Sequence, residues 1–389
     1  MPEQGTPELH GGAVGDGRGL ATSTTPSAGG GTPPSAPAQR AGSRFSLSAL
    51  GRWETLITGL IVVVLIVGSQ LSDKFLTADS FTTGSFDMIE VALIALPMTL
   101  VIITGEIDLS VASILGLSSA LMGKLWNAGL PIEEIMVLCL VMGGVCGFVN
   151  GFLVTRVGLP SLAVTIGTMG LYRGLALVVL GDQSVTDFPT SWTDRAFGTI
   201  GGGWFPNVMV IFVVLAVIFA IVLHFTPYGR SIYAIGANEE ASRFAGIRVK
   251  RVKMSLYVVI GIVSALAGIV MTLRNSTAAA NVGVGLELVV VAAVLLGGVS
   301  IFGGKGSLFG VILAVILLGA IQKALLLANG VSSYWIQIVE GALLVGSVLG
   351  PNLVVRAREA RARATRARGS GAPRVANTTT TMPHKEEDR

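Results

Sequence analysis

Between residues 54 and 350 the chain is a succession of apolar runs about 17 to 20 residues long, the length that a helix needs to cross a hydrocarbon core of roughly 30 Å. Backbone polar groups inside lipid find no water, so only helices and closed barrels satisfy them there. The alternating ten-residue pattern of a membrane barrel is absent, which leaves helices. With 13% charged residues against about 25% in soluble proteins, and 51 glycines that let helices approach closely, the expected fold is all-α: a polytopic membrane helical bundle.

The runs predict ten spans, over 54–70, 88–104, 109–126, 135–155, 161–180, 207–225, 254–273, 287–302, 308–327 and 334–349. Arg40, Arg44 and Arg52 before the first span and the arginines from Arg356 to Arg368 after the last hold both ends inside, because Lys and Arg accumulate on the cytoplasmic side. Residues 1–50, rich in Gly, Ser, Thr and Pro, read as a disordered cytoplasmic tail, 54–350 as the membrane domain and 351–389 as a second, basic tail. Ten crossings then put Arg156, the interval 227–253 and Lys305 on the cytoplasmic side, and Trp126, Trp192, Trp204 and Trp335 at external ends of spans. The net charge of +4 lies in these flanks and does not call for nucleic acid.

The interval PYGRSIYAIGANEEASRFAGIRVKRVK at 227–253 is the long charged break between two halves. Asn238 is placed to cap a short helix with Glu239 and Glu240 in its first turn, and Gly246 to stop it. One reading is a topology loop carrying a surface helix, the other a docking element for a cytoplasmic partner.

Glu106 and Asp108 stand in a glycine-initiated break between two spans, where carboxylates are costly enough to signal function. Two readings are open: carboxylates facing an aqueous cavity that accept from the hydroxyls of a solute, or a cytoplasmic turn in which Asp108 or Ser110 caps the next span. Arg173, Glu340 and Glu90 are intramembrane charges that pair with one another or line a pathway. A weak echo between GEIDLSV at 105–111 and GLELVVV at 285–291, the latter carrying Glu287, suggests an inverted repeat around that pathway.

Cys139 and Cys146 lie seven apart on one predicted helix, too far for a disulfide, and read as packing residues. Scattered histidines and the lack of a C-x-x-C pair offer no metal site, and GGKGS at 303–307 lacks the order of a phosphate loop. No catalytic set is visible, so neither a cofactor nor covalent chemistry is expected.

The blocks GEIDLSVAS at 105–113, NGFLVTRVGLPSLAVTIGTMGLYRGLA at 150–176, GANEEASRFAGI at 236–247 and GLELVVVAAVLLGGVSIFGGKGSLFG at 285–310 resemble, in order, the permease subunits of bacterial ABC sugar importers of the ribose, xylose, rhamnose and autoinducer-2 group. Ala112 stands where glycine is usual, and Val289 where an acidic residue is common. The resemblance implies a plasma-membrane permease paired with a second copy or a related chain, docked on two cytoplasmic ATPase subunits and supplied with sugar by an extracytoplasmic binding protein. It makes Gly236, Asn238, Glu239, Glu240, Arg243 and Gly246 the ATPase-coupling segment. Glu106, Asp108, Arg173, Glu287 and Glu340 are then the candidates for the substrate pathway. The loop GDQSVTDFP at 181–189 points to a rhamnose-like or related monosaccharide, so the expected solute is rhamnose- or ribose-like. The alternatives are an ion-coupled secondary transporter and a branched-chain amino-acid importer.

Overall fold

The computed structural model describes residues 47–328, with side chains from Trp53 onward, and beyond them residues 335, 338, 339, 341, 342, 345 and 346. Glu340, residues 1–46, the C-terminal tail and most of the expected span at 334–349 lie outside the described residues. The elements are α1 (Leu47–Leu71), α2 (Ala78–Ile103), α3 (Val111–Asn127), α4 (Ile132–Phe152, prolonged by a π turn, Leu153–Val157), α5 (Ser161–Leu180), α6 (Thr190–Phe197), α7 (Asn207–Phe225), α8 (Pro227–Ala237), α9 (Glu239–Phe244), α10 (Val249–Arg274), α11 (Leu286–Leu296) and α12 (Leu308–Leu327). Among the described residues there is no strand, only isolated bridges joining Val185 to Ala278 and Thr199 to Pro206.

Among the described residues, seven helices are long and apolar enough to cross a membrane: α1, α2, α4 with its π turn, α5, α7, α10 and α12. The runs at 161–180, 207–225 and 308–327 coincide end to end with α5, α7 and α12. Others differ for local reasons. Helix α2 starts ten residues before the apolar run, because the Thr77 hydroxyl accepts from Ser80 N at 3.2 Å and Asp79 sits favourably in the first turn. Helix α10 starts at Val249, so Lys250, Arg251 and Lys253 are helical rather than part of a loop. Helix α11 stops after 11 residues at Gly297, with Gly298 at φ +86°, well short of residue 302.

Helices α2, α3 and α10 form the centre. The sequence of α2 from Met88 has no polar face, as expected of a helix hidden on all sides, and it is buried without interruption to Thr104. Helix α10 packs on α4 with backbones almost touching: a Cβ on Gly147 would stand 2.1 Å from the Tyr257 carbonyl oxygen. Cys139 and Cys146 are buried on α4 as unpaired thiols, as their spacing predicts. Helix α1 lies outside, setting Ile57 and Ile61 against Leu317 of α12 while Leu56, Val63 and Ile66 stay exposed.

At the end of the bundle where α2 begins, Trp126 stacks on Phe188, the Trp192 indole donates to Glu133 Oε1 at 3.0 Å, and Trp204 meets Phe81 edge-on. Near that end Glu90 is paired with Arg274, whose Nη2 lies 3.1 Å from Glu90 Oε1. Its partner is thus a residue placed in an external loop by the hydropathy reading, and not Arg173.

Candidate functional site

The charged interval folds into two short helices. Pro227 opens α8, where a missing N–H costs nothing, and the Thr226 hydroxyl accepts from Gly229 N at 3.2 Å. Asn238 caps α9 as its sequence suggests, Oδ1 accepting from Ala241 N at 2.9 Å, with Glu239 and Glu240 in the first turn. Gly246, at φ +83°, turns the chain out of the helix. Glu240, Arg243 and Phe244 are exposed, Phe244 by 86%. The sequence reading passed over Phe244, although a bulky aromatic inside a charged loop is the available signal.

Helix α8 is fixed to the bundle by backbone contact. A Cβ on Gly236 would fall 1.8 Å from the Ile103 carbonyl oxygen and 2.4 Å from Gly304 N, so no other residue fits that approach. Gly304 N donates to the same Ile103 oxygen at 2.8 Å, and the Tyr233 hydroxyl donates to Gly306 O at 2.9 Å. The glycine run at 303–307, unfit for phosphate, is therefore the turn that lets the end of α2, the end of α8 and the start of α12 meet.

The break follows at once. After Ile103 the chain leaves helical form through Gly105, at φ +84°, until Val111. Glu106 and Asp108 diverge within it. Glu106 reaches Lys253 on α10, whose Nζ lies 2.5 Å from Glu106 Oε1 and 2.6 Å from Glu239 Oε2 on α9. Lys253 is 9% exposed, Glu106 14% and Glu239 42%. Glu239 also accepts from Arg243 at 3.0 Å. The Lys253 ammonium holds the Glu239 carboxyl below the usual carboxylate range. The sequence reading treated Lys253 as one more flanking cation, and only the helical start of α10 turns it inward.

Asp108 is fully buried, and its Oδ1 accepts from Ser110 N at 2.9 Å and from the Ser110 hydroxyl at 2.6 Å; Ser110 is the N-cap residue of α3, with no side-chain bond to the first turn. Asn150 Nδ2 donates to Ser110 Oγ at 2.8 Å, and the Tyr172 hydroxyl meets Asn150 Oδ1 at 3.2 Å. Asp108 Oδ2 is buried without a hydrogen-bond partner among the described residues, and the buried Tyr257 hydroxyl lies near Ser161.

Arg173 on α5 stands where two short helices begin. Its Nη1 donates to Ala280 O at 3.0 Å and Val282 O at 2.7 Å, ahead of α11, and its Nη2 to Ala112 O at 3.2 Å in the first turn of α3. Glu287 lies in the first turn of α11, half-buried and within electrostatic reach of Arg173. Arg173 thus belongs with Glu287 and the starts of α3 and α11. Glu106 and Glu239 form a separate group around Lys253.

The break between α2 and α3, its Glu106 tied through Lys253 to the exposed α9, lies in a chain with seven membrane-length helices among the described residues, and its relatives give the class, a membrane permease subunit. The family model described as branched-chain amino acid transport system / permease component matches residues 80–348, and the chain belongs to that family. It is 33% identical over 310 residues to the autoinducer 2 import system permease protein LsrD of Yersinia enterocolitica, covering 77% of this chain and 92% of the relative. The LsrD proteins of Photorhabdus luminescens, 32% identical with 77% and 91% covered, and of Enterobacter sp. strain 638, 34% identical with 77% and 93% covered, are similar to it in the same way. No solved structure matches the chain significantly.

Proposed function

We propose that this chain is the membrane-spanning subunit of an ATP-driven, binding-protein-dependent importer of a monosaccharide or a similarly small polyhydroxy solute in a bacterial plasma membrane. It pairs with a second permease, docks cytoplasmic ATPase subunits through α9, and takes its solute from an extracytoplasmic binding protein. The observation that carries this is the exposed, Asn238-capped α9, which follows α8 where Gly236 packs against Ile103 at the end of α2, in a chain alike over nearly the whole length of autoinducer 2 import permeases.

In this reading the seven long helices, the short α3 and α11 and the run at 334–349 make ten crossings, with both termini cytoplasmic. Supporting an inverted repeat, α3 and α11 both follow a glycine in the left-handed region, Gly105 at φ +84° and Gly285 at φ +86°, and the segments that open them share the Arg173 guanidinium. Asp108, Glu287 and Glu340 line the pathway on this account, Glu106 stands at its cytoplasmic mouth, and Arg173 holds its walls together.

Co-purification from native membranes in mild detergent tests the class. Recovery of an ATPase, lost when Glu239, Glu240 and Arg243 are replaced together, is the expected result. Recovery of the chain alone, with sodium- or proton-dependent uptake of labelled rhamnose in liposomes, would overturn it. Competition of that uptake by leucine tests the amino-acid reading that the family's description favours.

A further inference from the structure

The cluster of Glu106, Lys253 and Glu239 joins segments of unequal stiffness. Lys253 sits on α10, a 26-residue helix buried along most of its length. Glu106 belongs to the non-helical stretch between α2 and α3, and Glu239 to a six-residue helix that is largely exposed. Both carboxylates share one ammonium, at 2.5 and 2.6 Å, and it is nearly removed from water. Charge interactions strengthen as solvent is excluded, so neither carboxylate is indifferent to the position of the other.

We propose that Lys253 is the positioning residue that transmits movement of α9 to the break in the bundle. When α9 is displaced, Glu239 withdraws from the shared ammonium and leaves Glu106 as its sole partner. The Lys253 side chain then reorients toward Glu106 and draws the segment 107–110 with it. Residues 104–106 stay bonded to the end of α2, Glu106 N donating to Val101 O at 3.3 Å, but the N–H groups of 107–109 join no helical ladder, so the stretch beyond Glu106 responds. Asp108 and Ser110, which open α3, lie on the same short stretch, so the start of α3 follows. Gly236 fixes the end of α8 to Ile103, which makes the junction a fulcrum and leaves the ion cluster as the moving contact. The inference rests on the ATP-driven reading above.

The test uses the complex from native membranes, carrying Ile107→Cys as a reporter inside the break, where the natural thiols Cys139 and Cys146 are buried. The rate of labelling by a membrane-impermeant maleimide in inside-out vesicles is read with and without ATP and vanadate. With Lys253 present the rate is expected to change about tenfold or more on ATP binding. Lys253→Met and the isosteric Glu106→Gln should abolish that change while the ATPase still co-purifies. Lys253→Arg, and the triple exchange Glu106→Lys, Lys253→Glu, Glu239→Lys that restores alternating charge, should recover it. An unaltered ATP response in Glu106→Gln would overturn the role of Lys253, and so would failure of both Lys253→Arg and the triple exchange. Absence of any ATPase from the unsubstituted complex would instead remove the ATP-driven reading itself.

Discussion

Lys253 and Glu106, 147 residues apart in sequence, are joined Nζ to Oε1 at 2.5 Å, and the same ammonium lies 2.6 Å from Glu239. Two carboxylates that would repel one another are thereby held against a single, nearly buried cation. Removing that cation leaves Glu106 without compensation and Glu239 with only the exposed Arg243, which is far more costly than never having placed charge there.

Lys253→Ala is therefore expected to destabilise the fold by about 3 kcal/mol, within the range found when one partner of a buried pair is deleted. Glu106→Gln should cost less, because the amide oxygen still accepts from the ammonium and Glu239 remains. Denaturant melts of the purified chain in detergent measure both. Equal melting of Lys253→Ala and the parent protein would show that the cluster is solvated rather than buried.

Gly236→Ala is expected to cost more than a cavity-free surface change. Its Cβ would stand 1.8 Å from the Ile103 carbonyl oxygen, and backbone must shift to admit it. Overpacking of this kind typically costs about 1–3 kcal/mol, and here it also lifts α8 from the junction. Gly246→Ala is the control, since nothing lies within 4 Å of its Cβ and only the positive φ is strained, at about 1–2 kcal/mol. Protection of α8 amides from hydrogen exchange should fall in the first variant and hold in the second.

Phe244, 86% exposed beside Glu240 and Arg243, offers the aromatic anchor typical of interface hot spots. Phe244→Ala is expected to leave the melt unchanged and to weaken retention of the ATPase by about 2 kcal/mol, some thirtyfold. Quantitative pull-down at graded detergent wash reads the difference. Undiminished retention would move the docking contact off the tip of α9.

Much of this architecture was legible because apolar periodicity and local capping are written in short stretches. Helices α5, α7 and α12 match their apolar runs, and Asn238, Glu239 and Gly246 behave as a local capping pattern dictates. What was not legible depends on depth. Lys253 reads as a loop cation until α10 is known to begin at Val249, and nothing local announces that Arg274, at the end of α10, lies 3.1 Å from Glu90. The role of Gly236 is set by Ile103 and Gly304, residues remote in sequence whose approach no local pattern announces. The pairing of Arg173 with backbone carbonyls, and not with another charge, was hidden for the same reason.

The pH response of Glu239 has a defined sign. Its carboxyl is held below the usual range by Lys253 first, so its stabilising contribution is fully present above the unfolded value of about 4.3. That contribution is lost as pH falls through the lower folded value. The stability difference between the parent chain and Glu239→Gln should thus be flat from about pH 8 to 5 and shrink below about pH 4. A difference that already fades near pH 6 would show that another group governs the cluster.

Arg173 gives the last expectation. Its planar fork donates to Ala280, Val282 and Ala112 at once, from 2.7 to 3.2 Å. A lysine has no fixed fork and presents a compact point charge, so it cannot reproduce that spread. Arg173→Lys should therefore keep the charge and yet loosen the segments that open α3 and α11, leaving at least one buried carbonyl unsatisfied at about 1–3 kcal/mol. Hydrogen exchange at 280–288 should rise while α4 and α10 stay protected. If Lys restored full protection there, the charge alone, facing Glu287, would account for the residue, and the three carbonyl contacts would be incidental.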